Sequence, residues 1–342
     1  MKINSNITVQ NSYNKQMLKK EKVSFKGLTT TKVKSMFVFD LDGTLATANQ
    51  KQLDYILKKA KETNSDIIYA TGRTLKEFFH LQDKMSSANK VLPAPDYLIA
   101  NNGQFLYQNI DGQLLEELNY QKLLTNKSKY NREYITGIMK KLSQTDKYRY
   151  TPEQLATLNN LSEIRNSDPL FYNSRITYYE WNPSKNMAEY FLAQDVDLAG
   201  LKNELNQILS KKGIKVKFRE NHYTKPIMDA CNESILLQSN SLRRHPDGSM
   251  TALFLCAADK ADGIDYIRKK RGILNSEIIM AGNDDNDIPM AKFTKNGSKF
   301  ICLADSSQRL IDYCVSISRN IFLSVENGAN GIIEGLKYFI KY

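Results

Sequence analysis

Residues Met36–Leu45 read MFVFDLDGTL. Four apolar residues, Met36 to Phe39, stop abruptly at Asp40; a second carboxylate, Asp42, follows two positions on, then Gly43 and Thr44. A continuous apolar run of this length marks a parallel strand buried on both faces, and its polar end is where such a strand delivers a side chain to a crevice. Carboxylates at i and i+2 beside a strand end point to the same side, so Asp40 and Asp42 can reach one metal ion or one phosphoryl group. The same letters fit a hairpin, because Asp-Gly between apolar runs is a strong turn signal. Alone, the stretch leaves the two readings level.

The following residues favour the strand. Gln50 to Glu62 carries apolar residues at Leu53, Ile56, Leu57 and Ala60, the spacing of an amphipathic helix. A second apolar run, Ile67 to Ala70, ends in Thr71-Gly72-Arg73-Thr74, and a helix is expected from Leu75. Strand, helix and strand over this distance make a right-handed crossover in a parallel sheet. Thr71 is then expected beside Asp40 at the carboxyl edge, where open α/β sheets place ligands. It also serves as a turn before the next helix, whose N-terminus favours anions. A third run, Tyr97 to Ala100, ends in Asn101-Asn102-Gly103.

After Gly103 the rhythm breaks. Gln104–Tyr107 and Gly112–Leu118 read as paired strands, with helices over Asn131–Leu142 and Asp197–Leu209. Strands are expected at Arg175–Trp181, Ile214–Glu220, Ser234–Gln238 and Thr251–Cys256. This mixture describes an inserted α+β domain over residues 104–250. It holds no catalytic signature. Its aromatic stretch, Ile176 to Trp181, suits a pocket wall, though aromatics at strand spacing are more often core. Arg175, Lys185, Arg243 and Arg244 are candidates for an anionic ligand, surface solvation being the commoner role.

The βα rhythm returns with a helix opening at Lys260 and an apolar run, Ile278 to Ala281, that ends in Gly282-Asn283-Asp284-Asp285-Asn286-Asp287. Strands at Phe300–Leu303 and Cys314–Ile317 and a helix from Gly331 complete the reading. Carboxylates clustered after an apolar strand need a cation or solvent to receive them. Asp287 before Ile288-Pro289 also makes a good helix cap.

Composition sets the outer limits. An apolar share of 41% and a charged share of 25% belong to a globular protein of one large or two ordinary domains. Cys231, Cys256, Cys302 and Cys314 are widely separated, which argues against a disulfide framework or a zinc site and suits a reducing compartment. No apolar run has the roughly 18–20 residues needed to cross a bilayer, so a cytoplasmic location is expected. The formal charge of +11 is mostly local: residues 1–34 hold eight lysines and Glu21, or +7. That tail is expected to be a solvated, disordered segment rather than a signal or a nucleic-acid arm.

Together these clusters supply two carboxylates, a hydroxyl, an ammonium and an acidic loop, the inventory of magnesium-assisted phosphoryl transfer. In order and spacing the chain resembles the haloacid dehalogenase superfamily of phosphatases: DLDGT at 40–44, ATGRT at 70–74, Lys260 and GNDDND at 282–287 match its four motifs. The resemblance covers roughly residues 35–342. It implies a Rossmann-like core from residues 35–103 and 251–342, with an inserted type IIB (C2) α+β cap at 104–250, as in sucrose-phosphatase-like and Cof-like sugar phosphatases. It further implies that Asp40 is the nucleophile, Asp42 the acid and base, and Thr71 and Lys260 the holders of the phosphoryl oxygens. Gly72, Arg73 and Asn102 would line the substrate site. Mg²⁺ would sit among Asp40, the Asp42 carbonyl and the acidic loop, drawing on Asn283, Asp284 and Asp287. The substrate expected is a small phosphate ester, a sugar phosphate first among them. A phosphotransferase or mutase of the same fold, and a non-catalytic binding protein on a decayed core, are the alternatives.

One position departs from the pattern. The fourth motif usually reads Gly-Asp-x-x-Asn-Asp, and here Asn283 stands at its first Asp. Asn283→Asp is therefore expected to lower the magnesium concentration for half-maximal activity; a titration superimposing on that of the wild type would refute this.

Overall fold

A computed structural model describes residues 35–156, 174–179, 184–223, 249–317 and 319–340. Strand β1 (Ser35–Phe39) leads through a short turn to α1 (Gln50–Glu62), β2 (Ser65–Ala70), α2 (Leu75–Ser87) and β3 (Tyr97–Ala100). Both helices begin on the expected residues because Asn49 and Thr74 close reciprocal capping boxes with Gln52 and Glu77. A hairpin of β4 (Phe105–Ile110) and β5 (Gln113–Glu116) follows, then α3 (Leu118–Ser128), α4 (Arg132–Ser143) and α5 (Pro152–Ala156). Next come β6 (Ile176–Tyr179), β7 (Met187–Leu192), α6 (Leu198–Lys211), β8 (Lys217–Tyr223) and β9 (Met250–Cys256). The chain ends with α7 (Lys260–Arg271), β10 (Ile278–Gly282), α8 (Ile288–Phe293), β11 (Lys299–Cys302), α9 (Gln308–Ile317), β12 (Ile321–Leu323) and α10 (Gly328–Phe339).

The strands form two sheets. The larger has the order β12-β11-β10-β1-β2-β3-β4-β5, parallel from β12 to β3 and antiparallel beyond. Alternation along β1 sends Phe37 and Phe39 to one face, packed with α1, α2 and α10 through Leu53, Phe78 and Ile332. Met36 and Val38 go to the other face, against Ile264 and Ile267 of α7, Met290 of α8 and Leu310 of α9. The smaller sheet, β6-β7-β9-β8, is antiparallel; α4 and α6 cover one of its faces through residues such as Ile135, Leu201 and Leu205.

Three expectations need correction. The boundary at 104 cuts too early: the left-handed turn Asn101-Asn102-Gly103 folds β4 back onto β3, so β4 and β5 extend the larger sheet. The boundary at 251 also cuts too early, since β9 pairs with both β7 and β8 as a central strand of the smaller sheet. Cys314–Ile317 is helical, not a strand. Its β-branched letters belong to α9, whose Leu310 and Cys314 are buried at a spacing of four, and β12 takes the strand's place. Helix α3 and strand β7 add to the expected elements, while Ser234–Gln238, Trp181 and residues 1–34 lie outside the described residues.

Close approach of α10 to the sheet depends on Gly335. A β-carbon there would meet three Ile301 side-chain carbons at 2.4–2.8 Å. Gly335→Ala is expected to destabilise the protein by about 1–3 kcal/mol through overpacking, read as a lower urea midpoint. Ile301→Ala has its own cavity cost, but the double variant should lose less than the sum of the two single losses; additive losses would show that this contact is not the cause.

Candidate active site

The chain builds the larger sheet outward from β1 in one direction through β2 and β3, and in the other through β10, β11 and β12. Between β1 and β10 the carboxyl ends of neighbouring strands feed loops that diverge, which opens a crevice at that edge. Asp40 emerges there from β1, its N–H donating to the Ala281 carbonyl of β10 at 3.0 Å. It has the same parity as Met36 and Val38, so its side chain falls on the α7 side of the sheet.

Lys260, the first residue of α7, meets it. The lysine is fully buried, and its Nζ donates to Asp40 Oδ1 at 2.7 Å, to Asp287 Oδ1 at 2.6 Å and to Asn286 Oδ1 at 3.4 Å. All three ammonium protons are thereby directed. Burial alone would lower the lysine's pKa, but the charges of Asp287 and Asp40 outweigh it and hold the ammonium above its ordinary range. Burial pushes Asp40 up to about 7 against the pull of Lys260, with the charge of Asp287 adding to the rise. Burial likewise raises Asp287.

Helix capping sets the lysine's place. Asp259 caps α7, accepting the N–H groups of Ala261 and Asp262, and Asp262 returns the bond to the Asp259 N–H. Gly103, with φ at +91°, lets the chain run against this cap; a β-carbon there would sit 2.1 Å from the Asp259 carbonyl oxygen. Gly43, with φ at +71°, does the same for the other loop, where a β-carbon would fall 2.3 Å from Asn283 Nδ2.

The remaining residues join this centre unequally. Asn286 Nδ2 donates to Asn102 Oδ1 at 3.1 Å, and the Asn102 N–H donates to the Thr71 carbonyl at 2.9 Å. Thr71 is buried, its Oγ1 accepting the Arg73 N–H, and Gly72 lies against the Asn102 amide. Asp40, Lys260, Asp287, Asn286, Asn102 and Thr71 thus belong to one hydrogen-bonded assembly, with Gly72 packed against it. Asp42 is pulled elsewhere: Arg73 grips it through Nε at 3.0 and 3.1 Å and Nη2 at 2.5 Å, at a half-exposed position. Asp284 accepts the N–H of Asp285 instead of turning to Lys260. Asn286 is not among the expected site residues: it is the uncharged member of an acidic loop, and its own letter carries no signal of the contact with Lys260. Arg175 pairs with Asp195, while Arg243 and Arg244 lie outside the described residues.

Among the described residues, no three His, Cys, Asp or Glu side chains gather where a metal could sit. Asp287 is committed to Lys260 and, through Oδ2, to the N–H groups of Asn283 and Asp284. The donors left are oxygens: Asp40 Oδ2, which accepts no hydrogen bond from the described residues, and Asn283 Oδ1, which takes one from Thr44 at 3.1 Å. Oxygen donors with one carboxylate fit a magnesium-class ion that keeps waters and binds substrate phosphate.

A family model for haloacid dehalogenase-like hydrolases matches residues 37–321. The chain belongs to that family. It is 25% identical over 267 residues to an uncharacterised protein of Mycoplasma capricolum subsp. capricolum, covering 75% of this chain and 87% of the relative. In fold it is similar to the sucrose-phosphatase of Synechocystis sp. PCC6803, solved with sucrose and phosphate, at a TM-score of 0.57 and 15% identity, covering 90% of this chain and 98% of that one. The haloacid dehalogenase-like hydrolase yhjK of Bacillus subtilis gives a TM-score of 0.51 at 15% identity, covering 90% and 92%. Among the described residues of this hydrolase, no helix is long and apolar enough to cross a membrane.

A carboxyl raised by burial costs folding stability above its folded pKa, and that cost vanishes below its unfolded one. Asp40→Asn in chelator-treated protein is therefore expected to raise Tm at pH 8, by about 2–4 °C per kcal/mol relieved. The gain should shrink as the pH falls from about 7 towards 3.8. A pH-independent change in Tm would refute this origin.

Proposed function

We propose that this hydrolase is a magnesium-dependent phosphatase of small phosphate esters, sugar phosphates foremost, working through an aspartyl-phosphate. The observation that carries the reading is the buried Lys260 held between Asp40 and Asp287 at a strand-end crevice. A carboxylate on a rigid strand, clamped on one oxygen by a fixed ammonium, is oriented as a nucleophile without being neutralised by a flexible partner. The fold-level likeness to a sucrose-phosphatase supports the ester class.

In this mechanism Asp40 attacks phosphorus and the ester P–O bond breaks. Asp42, freed from Arg73 and protonated from solvent, gives its proton to the departing alkoxide; as carboxylate it then takes one from the water that attacks the acyl phosphate, which frees Asp40 and inorganic phosphate. Asp42 must leave the Arg73 guanidinium to do this, so the ion pair at 2.5 Å is a resting arrangement broken when substrate enters. Lys260 and the Thr71 hydroxyl receive charge developing on the phosphoryl oxygens, and Asn286 and Asn102 keep Lys260 aimed. Magnesium would be held by Asp40, the Asp42 carbonyl and Asn283, with Asp287 positioning Lys260 instead of ligating. When bound, the ion neutralises phosphoryl charge. A core at residues 35–117 and 257–342 with an intervening cap would divide chemistry from recognition.

Phosphate release from a panel of sugar phosphates, with and without Mg²⁺, is the deciding assay. Wild type should release phosphate only with the ion, and Asp40→Asn should lose at least about 10³-fold in kcat. Release unaffected by Asp40→Asn would remove the nucleophile assignment, and transfer to an added sugar in preference to water would replace hydrolysis by phosphotransfer.

A further inference from the structure

Above Lys260 lies a cleft of about 180 Å³ between β8 of the smaller sheet and the loops of the larger one. Six cations line it: Lys202, Lys217, Arg219, Lys260, Lys292 and Arg309. Four are neutralised. Lys202 pairs with Glu220 at 2.6 Å, Lys217 with Asp259 at 2.7 Å and Asp262 at 2.5 Å, and Arg309 with Asp285 at 2.8 Å, while Lys260 serves Asp40 and Asp287. Arg219 and Lys292 have no carboxylate partner among the described residues.

Arg219 is held in place all the same. It stands opposite Phe254 in the β8–β9 register, and its guanidinium carbon lies 4.0 Å from the centre of that ring. Its Nε is buried and has no hydrogen-bond partner among the described residues. A guanidinium fixed on a ring and unmatched by a carboxylate is a preorganised anion receptor, and its planar fork matches a carboxylate or phosphate through two parallel bonds. Lys292 Nζ lies 5.7 Å from the Tyr313 ring centre, an exposed point charge on the same cleft.

We infer that the ester hydrolysed here carries a second anionic group, a carboxylate or another phosphate, at the end remote from the scissile phosphoryl, and that Arg219 receives it with support from Lys292. The inference rests on the phosphatase reading and narrows its substrate class. A neutral leaving group would leave the guanidinium of Arg219, fixed on Phe254 at the cleft wall, without an anion to meet; a site of that kind discriminates against ligands that lack the matching group.

The test compares glucose 6-phosphate, 6-phosphogluconate and fructose 1,6-bisphosphate as substrates and, in parallel, as ligands in calorimetry with the magnesium-loaded enzyme. Wild type should favour a doubly anionic probe over glucose 6-phosphate by about ten- to hundredfold in kcat/KM and in Kd. Preference for 6-phosphogluconate or for the bisphosphate then identifies the second group. Arg219→Ala should collapse that ratio towards one, and Arg219→Lys, which keeps charge without the fork, should retain part of it. Equal handling of all three probes by wild type, or an unchanged ratio in Arg219→Ala, overturns the inference. Absence of phosphate release from every probe removes the phosphatase reading alone, because the calorimetric ratio still decides the role of Arg219.

Discussion

Two carboxylates share one ammonium at the centre of this protein, and the rest of the site is arranged around keeping that contact dry and fixed. Removing the ammonium would leave two buried carboxylates uncompensated, which is far more costly than never having built the pair, whereas two carboxylates on one ammonium already leave one negative charge in excess. Lys260 satisfies the condition for survival in such a place: each proton has an acceptor, and each acceptor is itself fixed by a strand end or by loop amides. The requirement spreads outward. Lys260 is positioned by the Asp259 cap of α7, the cap by the close passage of Gly103, and Asp287 by two amides of its own loop. Sheet topology supplies the coincidence that makes this possible, since β1 and β10 are neighbours although more than 230 residues separate them in sequence.

Much of this was legible in the letters because it is local. Apolar runs that end in Asp40, Thr71, Asn102 and the 282–287 loop each place a polar residue at the same edge of a parallel sheet, so one rule located four parts of the site. Helix starts at Gln50 and Leu75 were legible for the same reason, their caps lying within three residues. What failed was non-local. Whether the hairpin after Gly103 stays with the larger sheet depends on two left-handed asparagines and on pairing with β3, and β9 could be assigned only by its two neighbours. The helical Cys314–Ile317 shows the converse, a β-branched stretch overruled by the burial of Leu310 and Cys314 on one helix face.

Residues of the cleft were hidden for a different physical reason. Lys217 and Arg219 stand two apart on a strand, a pattern any solvated edge strand shows, and nothing nearby in sequence reveals that Phe254 lies beneath the guanidinium. Asn286 is neutral, and its value comes entirely from linking Lys260 to Asn102 across three loops. Charged letters advertise chemistry; neutral ones that aim the charges do not.

Asn283 follows from the same electrostatics. With Asp287 matched to Lys260, Asp40 is the one carboxylate of the inner centre that faces a ligand without a second cation of its own. A family aspartate at 283 would add a second negative charge beside it, tightening a divalent ion and repelling a phosphate dianion in the same measure. On the proposed reading, an amide gives an oxygen donor without that charge, so an incoming phosphoryl group would supply more of the field that holds the ion. Metal and ester would then bind as a coupled pair, each raising the other's affinity by the same factor.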